Sequence, residues 1–287
     1  MERLTRLAEM RAHSRIASGF IVETEPGQVR ALAADLSPIV ETFQEIFPRI
    51  LERPAPPIGA YPAKVIPRFN MLACILPREV VFQLENFRSV RRVYSDEMMW
   101  ATQLPTVPDT GVFTAPHKIT KEVTFTSTFW TKKLVGADVA NSKGFNGRGI
   151  NVAITDTGAS RIHEQIRRVE FDTTTAQHRD ENGHGTWCTS CIGGWKARDD
   201  YLSKRSGREV LCEGMAPECN LLAIKCLGWG VGCGSTSNII EAIDLAISRG
   251  SDIISMSLGG TSETESPEDD PQYPVFENAL EYGIIPV

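Results

Sequence analysis

The stretch VAITDTGAS, residues 152–160, decides how the rest of the chain reads. Its apolar start has the texture of a buried strand, and the strand runs straight into Asp156-Thr157-Gly158. A carboxylate in that setting serves one of two chemistries. It shares a proton with a second carboxylate and activates water, or it holds a histidine that serves a nucleophile. The first needs the motif twice within an almost wholly β fold. Here the motif is read as occurring once, inside an alternation of strands and helices, which favours the second.

That alternation begins at residue 148. GINVAITD is a strand, RRVEF a second, GTWCTSCIGGW a helix, NLLAIKCL a strand, TSNIIEAIDLAISRG a helix and SDIISMSL a strand, followed by a helix in PVFENALEYG and a further strand in IIPV. Such an order predicts a doubly wound α/β fold, its mainly parallel sheet covered on both faces. Ligands of such a sheet gather at the carboxyl ends of the strands, where Asp156 is expected.

The second motif is ENGHGTWCTSCIGG, residues 181–194. His184 opens a predicted helix 28 residues after Asp156, and Gly183 and Gly185 allow the backbone to pass close to a partner. His13, His117, His163 and His178 lack such a setting and are read as structural.

Four blocks in order, FNGRGINVAITDTGA (145–159), NGHGTWCTSCIGG (182–194), GMAPECNLLAIKCL (214–227) and DIISMSLGG (252–260), resemble the successive blocks of the subtilisin-like serine proteases. The resemblance covers roughly residues 128–287. It implies that Asp156 orients His184, and that His184 acts as general base toward a serine hydroxyl and then as general acid toward the leaving amine. It implies a polypeptide substrate held as an added strand by Ser257, Leu258 and Gly259 on one side. The Gly-rich segment containing Gly230 and Gly232 would form the opposite edge. Cys188, one helical turn after His184, is read as a packed thiol. The acids of TSETESPEDDPQYP, residues 261–274, would favour basic substrate side chains if this loop rims the cleft. Asp199 and Asp200 lie where loops of that family often hold calcium. Two acids do not make a calcium site, so no metal is assigned and the chemistry requires no cofactor.

The first hundred residues read as a small α+β unit. SGFIVETE forms a strand closed by Pro26-Gly27, a helical stripe runs from Val29 to Phe47 with Pro38 inside it, and RPAPPIGAYP is a loop. KVIPRFNMLACIL then reads as one strand, PREVVFQLENF as a short helix and SVRRVYSD as a last strand. By pattern and position this unit is similar to the inhibitory propeptide of the same family, which covers the cleft until it is cut off. The expected organisation is a lead over 1–17, the propeptide-like unit over 18–100, a linker over 101–127 and the peptidase-like part over 128–287. The maturation cut is expected between about residues 97 and 128.

Composition narrows the partners. With 287 residues, 41% hydrophobic and 23% charged, the chain suits a folded protein with a sizeable core. A net charge of −6 and no basic block argue against nucleic acid. No apolar run reaches membrane-spanning length, and MERLTRLAEMRAHSRIASGF lacks the apolar stretch of a secretory signal, so no membrane partner and a cytoplasmic location are expected. Seven cysteines, an odd number, favour reduced thiols, and Cys188-x-x-Cys191 has no partner pair at zinc-ribbon spacing.

The resemblance also sets a limit. In that family an oxyanion-binding asparagine and a Gly-Thr-Ser block carrying the nucleophile follow the strand begun by IIPV, whereas this chain stops at Val287. No serine present stands in such a setting. The expectation is an incomplete zymogen whose residues 1–287 are inactive alone. The alternatives are a module that binds or inhibits a complete protease, and one half of a split enzyme.

Overall fold

The computed structural model describes residues 17–37, 63–101, 128–175, 178–228, 232–260 and 266–287. The first unit alternates as strand, helix, strand, strand, helix, strand. It comprises β1 (Ala17–Thr24), a helix α1 over residues 29–37, β2 (Ala63–Ile66), β3 (Met71–Pro77), α2 (Arg78–Leu84) and β4 (Val90–Ser95). The four strands form an antiparallel sheet in the order β2-β3-β1-β4, the split β-α-β arrangement. The rest of the helical stripe after Ser37 and the loop RPAPPIGAYP lie outside the described residues.

The segment expected to be one strand, KVIPRFNMLACIL, is a hairpin. Pro67 cannot donate to a sheet ladder and opens a short 3-10 turn to Phe69, and Asn70 follows in the left-handed region at φ 53°. The chain reverses there, and β2 pairs antiparallel with β3.

Side-chain alternation explains why these strands read as apolar runs. Phe20, Val22, Leu72, Cys74 and Leu76 face Val29, Leu32, Leu36, Val80, Val81 and Leu84 of α1 and α2. Ile21, Met71 and Ala73 point the other way, into a core shared with the second unit.

After β5 (Met98–Ala101), the second unit begins with α3 (Thr128–Val135) and α4 (Ala137–Ser142), which lead to β6 (Asn151–Asp156). Next come β7 (Val169–Thr173), α5 (His184–Gly193), β8 (Ala197–Arg198), α6 (Asp200–Ser206), β9 (Leu211–Cys212) and β10 (Asn220–Lys225). The remainder is β11 (Cys233–Ser235), α7 (Thr236–Ser248), β12 (Ile253–Ser255), β13 (Leu258–Gly259), α8 (Tyr273–Glu281) and β14 (Ile285–Pro286). Five strands pair in parallel in the order β14-β12-β6-β10-β7, so the expected α/β class with a parallel sheet is observed. On one face Val152, Ile154 and Leu221 pack against Cys188 and Ile192 of α5. On the other, Ala153, Leu222, Ile224 and Ile254 meet Ile239, Ile243 and Ile247 of α7 and Val275 and Ala279 of α8. Among the described residues no helix is long and apolar enough to cross a membrane.

Helix α7 joins the two units. The first sheet packs Ile21, Ile66, Phe69, Met71 and Ala73 against it and α8. Polar contacts frame this apolar seam. Lys64 Nζ donates to Asn238 Oδ1 at 2.6 Å and pairs with Glu241 at 2.5 Å. Arg68 pairs with Asp244 and donates to Ser248 Oγ at 2.9 Å. At the N-terminus of α7 the preceding residue, Ser235, makes no side-chain cap. The carboxylate of Asp96 does so from the other unit, accepting from Ser237 N at 2.8 Å and Ser237 Oγ at 2.6 Å, while Thr236 N donates to Glu97 O at 2.8 Å.

Replacing Asp96 by alanine removes both bonds to Ser237 and is expected to cost about 1–2 kcal/mol, the usual worth of a helix cap. Urea unfolding of the whole chain measures this, and an unchanged midpoint would show the cap to be idle.

Candidate active site

Asp156 is the last residue of β6 and stands at the carboxyl edge of the parallel sheet, fully buried. Alternation along β6 points it to the α5 face, as for Val152 and Ile154. His184 is the first residue of α5, its side chain 11% exposed. Its Nδ1 lies 2.9 Å from each carboxylate oxygen of Asp156. A carboxylate accepts, so Nδ1 carries the proton and Nε2 presents its lone pair.

The approach of β6 to α5 depends on a missing side chain. A Cβ on Gly185 would stand 2.1 Å from the carbonyl oxygen of Gly158. Gly185 N instead donates to Thr157 Oγ1 at 2.8 Å. Gly183, at φ 96°, makes the turn into the helix and offers no cap of its own.

The cap comes from Asp180, a residue that sequence reasoning passed over. Its Oδ1 accepts from Thr157 Oγ1, Asn182 N and Gly183 N at 2.8–3.0 Å, and its Oδ2 accepts from Thr186 N at 2.9 Å and Thr186 Oγ1 at 2.5 Å. Burial works to raise the pKa of this carboxyl. The hydrogen bonds from the Thr186 side chain and the Gly183, Thr186 and Asn182 backbones prevail and hold it below the usual carboxylate range. One side chain thus ties the turn after Asp156 to the first turn of the helix bearing His184. Asp180 stands three residues before Gly183, the residue at the N-cap position, so no capping signal in the sequence marked it.

Cys188 lies under the imidazole, its Sγ 3.7 Å from Nδ1 and 3.9 Å from Nε2. Burial first, and the negative charge of Asp156 second, push its thiol up to about 12. It stays protonated at neutral pH and is packed rather than nucleophilic. Asp156, His184 and Cys188 also form a compact trio of metal-ligating types, their donor atoms within 4.8 Å of one another. The Asp156–His184 contact and the one-turn spacing of Cys188 from His184 along α5 account for that closeness.

A groove beside the pair holds a strand. Residues Met98–Ala101, which form β5, run between β11 and β13 in a three-stranded antiparallel sheet. Cys233 pairs with Trp100, Gly234 with Met99 and Ser235 with Met98 on one side, and Leu258 with Ala101 and Gly259 with Trp100 on the other. The expected final strand of the first unit ended at Asp96, and Ala101 was assigned to the linker. The structure instead places Met98–Ala101 in the groove, and residues 102–127 lie outside the described residues.

The groove gathers most of the expected substrate-holding residues. Leu258 and Gly259 are β13, and Ser257 precedes them beside the Cys188 thiol. Gly232 O accepts from Ala101 N at 2.8 Å, and a Cβ on Gly232 would meet Ala101 at 3.2 Å, Asn182 at 3.3 Å and Thr157 at 3.3 Å. Gly230 lies outside the described residues. The side chain of Met99 packs toward the shared core with Met256 and Leu258, whereas Trp100 is 47% exposed.

Of the acidic loop, residues 261–265 are not described. Beyond them Arg92 of β4 reaches the carbonyl of Glu268 and, at 3.5 Å, the carboxylate of Asp269. Asp199 caps α6 by accepting from Leu202 N at 2.8 Å, and Asp200 pairs with Arg198 at 3.2 Å. The loop expected at Asp199 and Asp200 is a short helix between two paired strands.

Residues 147–287 match the sequence profile of the subtilase family. The chain is 35% identical to subtilisin DY of Bacillus licheniformis over 132 residues, covering 45% of this chain and 44% of that protein. It is 32% identical to the major intracellular serine protease of Bacillus subtilis over 164 residues, 54% of this chain and 46% of that protein. Similarity to the serine protease AprX of Bacillus subtilis is lower, 27%, but runs over 239 residues, 78% of this chain and 47% of that protein. The chain spans less than half the length of each of these relatives. The tripeptide Asp-Thr-Gly recurs at residues 109–111, outside the described residues. The family match and the parallel sheet, rather than the count of that tripeptide, set aside the two-aspartate alternative.

Because its folded-state pKa is depressed, Asp180 contributes stability above the unfolded carboxylate range near pH 4, and this is lost as pH falls toward the folded value. Asp180→Asn is therefore expected to lower stability most at pH 6, with the gap to the parent narrowing steadily below about pH 4. Thermal melts of both proteins across pH 3–7 test this; a gap independent of pH would contradict it.

Proposed function

Because residues 147–287 belong to the subtilase family, we propose that this chain supplies the acid–base half of a subtilisin-type serine endopeptidase, held as a zymogen by its own N-terminal unit. The observation that carries the reading is the Asp156–His184 contact beside a groove already occupied by a peptide strand.

In this mechanism Asp156 accepts from Nδ1–H and fixes the ring so that Nε2 faces the groove. Nε2 takes the proton of a serine hydroxyl as its oxygen attacks the scissile carbonyl carbon. The imidazolium so formed lies against the carboxylate of Asp156 and passes its proton to the departing amine, leaving an acyl-enzyme. Water then repeats the proton transfers and releases the acid. Gly260-Thr261-Ser262 spells that tripeptide but comes before the IIPV strand rather than after it, so no serine of residues 1–287 is assigned as the nucleophile, and residues 1–287 alone are expected not to hydrolyse peptides.

Substrate would lie where β5 lies. Main-chain pairing with Gly232, Gly234, Leu258 and Gly259 gives affinity without selecting side chains. Selection comes from the inward residues. Met99 occupies room that exists because residue 260 is glycine, whose Cβ would meet the Met99 sulfur at 2.7 Å. Ala101 lies buried close to Gly232. A polypeptide with a long unbranched apolar residue two positions before a small one fits this register. The same fit makes β5 a self-inhibitor, blocking the groove until the chain is cut after it.

In protein expressed with its native flanking sequence, His184→Ala is expected to lower kcat/KM for a peptide at least about a thousandfold and to abolish labelling by a serine-directed phosphonate. Hydrolysis that survives this change would overturn the assignment. In the same protein, Gly260→Val is expected to lower kcat/KM about tenfold for peptides with methionine at the Met99 register relative to those with alanine. An unchanged ratio would place that side chain elsewhere.

A further inference from the structure

Lys225 ends β10 and is paired in register with Asp156 across the parallel ladder. The two side chains share a face, since Leu221 faces α5 while Leu222 and Ile224 face α7. Lys225 is 3% exposed, and its Nζ donates to the carbonyl oxygen of Thr157 at 2.9 Å. Among the described residues no carboxylate lies within ion-pair distance of this ammonium. The contrast is Lys132, equally buried but paired with Glu213 at 2.9 Å. A buried cation without an ion-pair partner costs stability that an apolar side chain would not. Packing therefore gives no reason for a lysine here.

The contact it makes does give one. Thr157 is the node of the site: its N donates to Asp156 Oδ1 at 2.6 Å, its Oγ1 donates to Asp180 and accepts from Gly185 N, and its carbonyl takes the lysine. The strand end is fixed as well, because Cys226 N and Leu227 N both donate to Asp156 O and Thr174 N donates to Lys225 O.

We propose that Lys225 is a positioning residue for the Asp156–His184 pair, clamping the turn after β6 against α5 while its charge balances the negative end of the pair. This rests on the reading of those two residues as catalytic. The charged and titratable groups around it are Asp156 on β6, Cys226 just past the end of its own strand, and Asp180 and Glu181 before α5, while Cys188 on α5 faces Asp156. Burial draws the lysine below its usual range, and Glu181, Asp180, Cys226 and Asp156 draw it back.

The test follows the imidazole nitrogens of the whole chain labelled at its five histidines, by NMR between pH 4 and 10. In Lys225→Met, His184 is expected to bind its second proton roughly tenfold more tightly, a midpoint about one pH unit higher, and to lose the low-field Nδ1 proton shared with Asp156. Lys132→Met removes another buried lysine and is expected to change neither signal. Lys225→Gln, which keeps a donor without the charge, is expected to raise the midpoint yet retain the low-field proton, and it serves if the methionine variant does not fold. An unmoved His184 midpoint in a folded Lys225 variant, or the same shift in Lys132→Met, would overturn the proposal. Because the readout is a spectrum, it stands apart from whether peptides are hydrolysed.

Discussion

The structure turns on a helix that has no exposed side to spare. Helix α7 lies between the parallel sheet and the antiparallel one, with Ile239, Ile240 and Ile243 fully buried. Each such side chain contributes roughly 1.5–3 kcal/mol when removed from water. That contribution needs both sheets in place. Strands β1 and β3 of the first unit are apolar on both faces for the same reason: one face meets α1 and α2, and the other meets α7 and α8. The polar frame of Lys64, Arg68 and Asp96 adds orientation to an apolar seam that is not directional.

The same logic operates on a smaller scale at the site. Asp156 and His184 are 28 residues apart in sequence and arrive on different elements, a strand end and a helix start. What brings them within 2.9 Å is a backbone approach permitted by Gly185 and locked by Thr157 and Asp180. The bond from Gly185 N to Thr157 Oγ1 is buried, where it is stronger than it would be in water, whereas those of Asp180 are only partly shielded.

Much of this was legible in the residues. The strand β6, the helices α5 and α7 and the parallel class follow from apolar runs and helical stripes that tertiary packing reinforces. The bend at Pro67 was written in the sequence too, but the flanking apolar residues outweighed it in the reading. Strand β5 was not legible for a different reason. Met98-Met99-Trp100-Ala101 has no alternation or turn signal of its own, and its partners lie in Cys233–Ser235 and Leu258–Gly259. Helices α3 and α4 were missed because their apolar residues Leu134, Val135 and Val139 face outward and give no buried stripe. Asp180 and Lys225 resemble ordinary surface charges in sequence, and only burial sets them apart.

One further consequence concerns the connection between the units. While the chain is continuous, β5 is tethered to its groove, and the contact is intramolecular at an effective concentration set by the tether. A cut within residues 102–127 would break none of the seam contacts described above and would alter the tether. The groove would then empty or fill according to how dilute the two pieces are, so that dilution itself, rather than any loss of complementarity, would govern access to the groove.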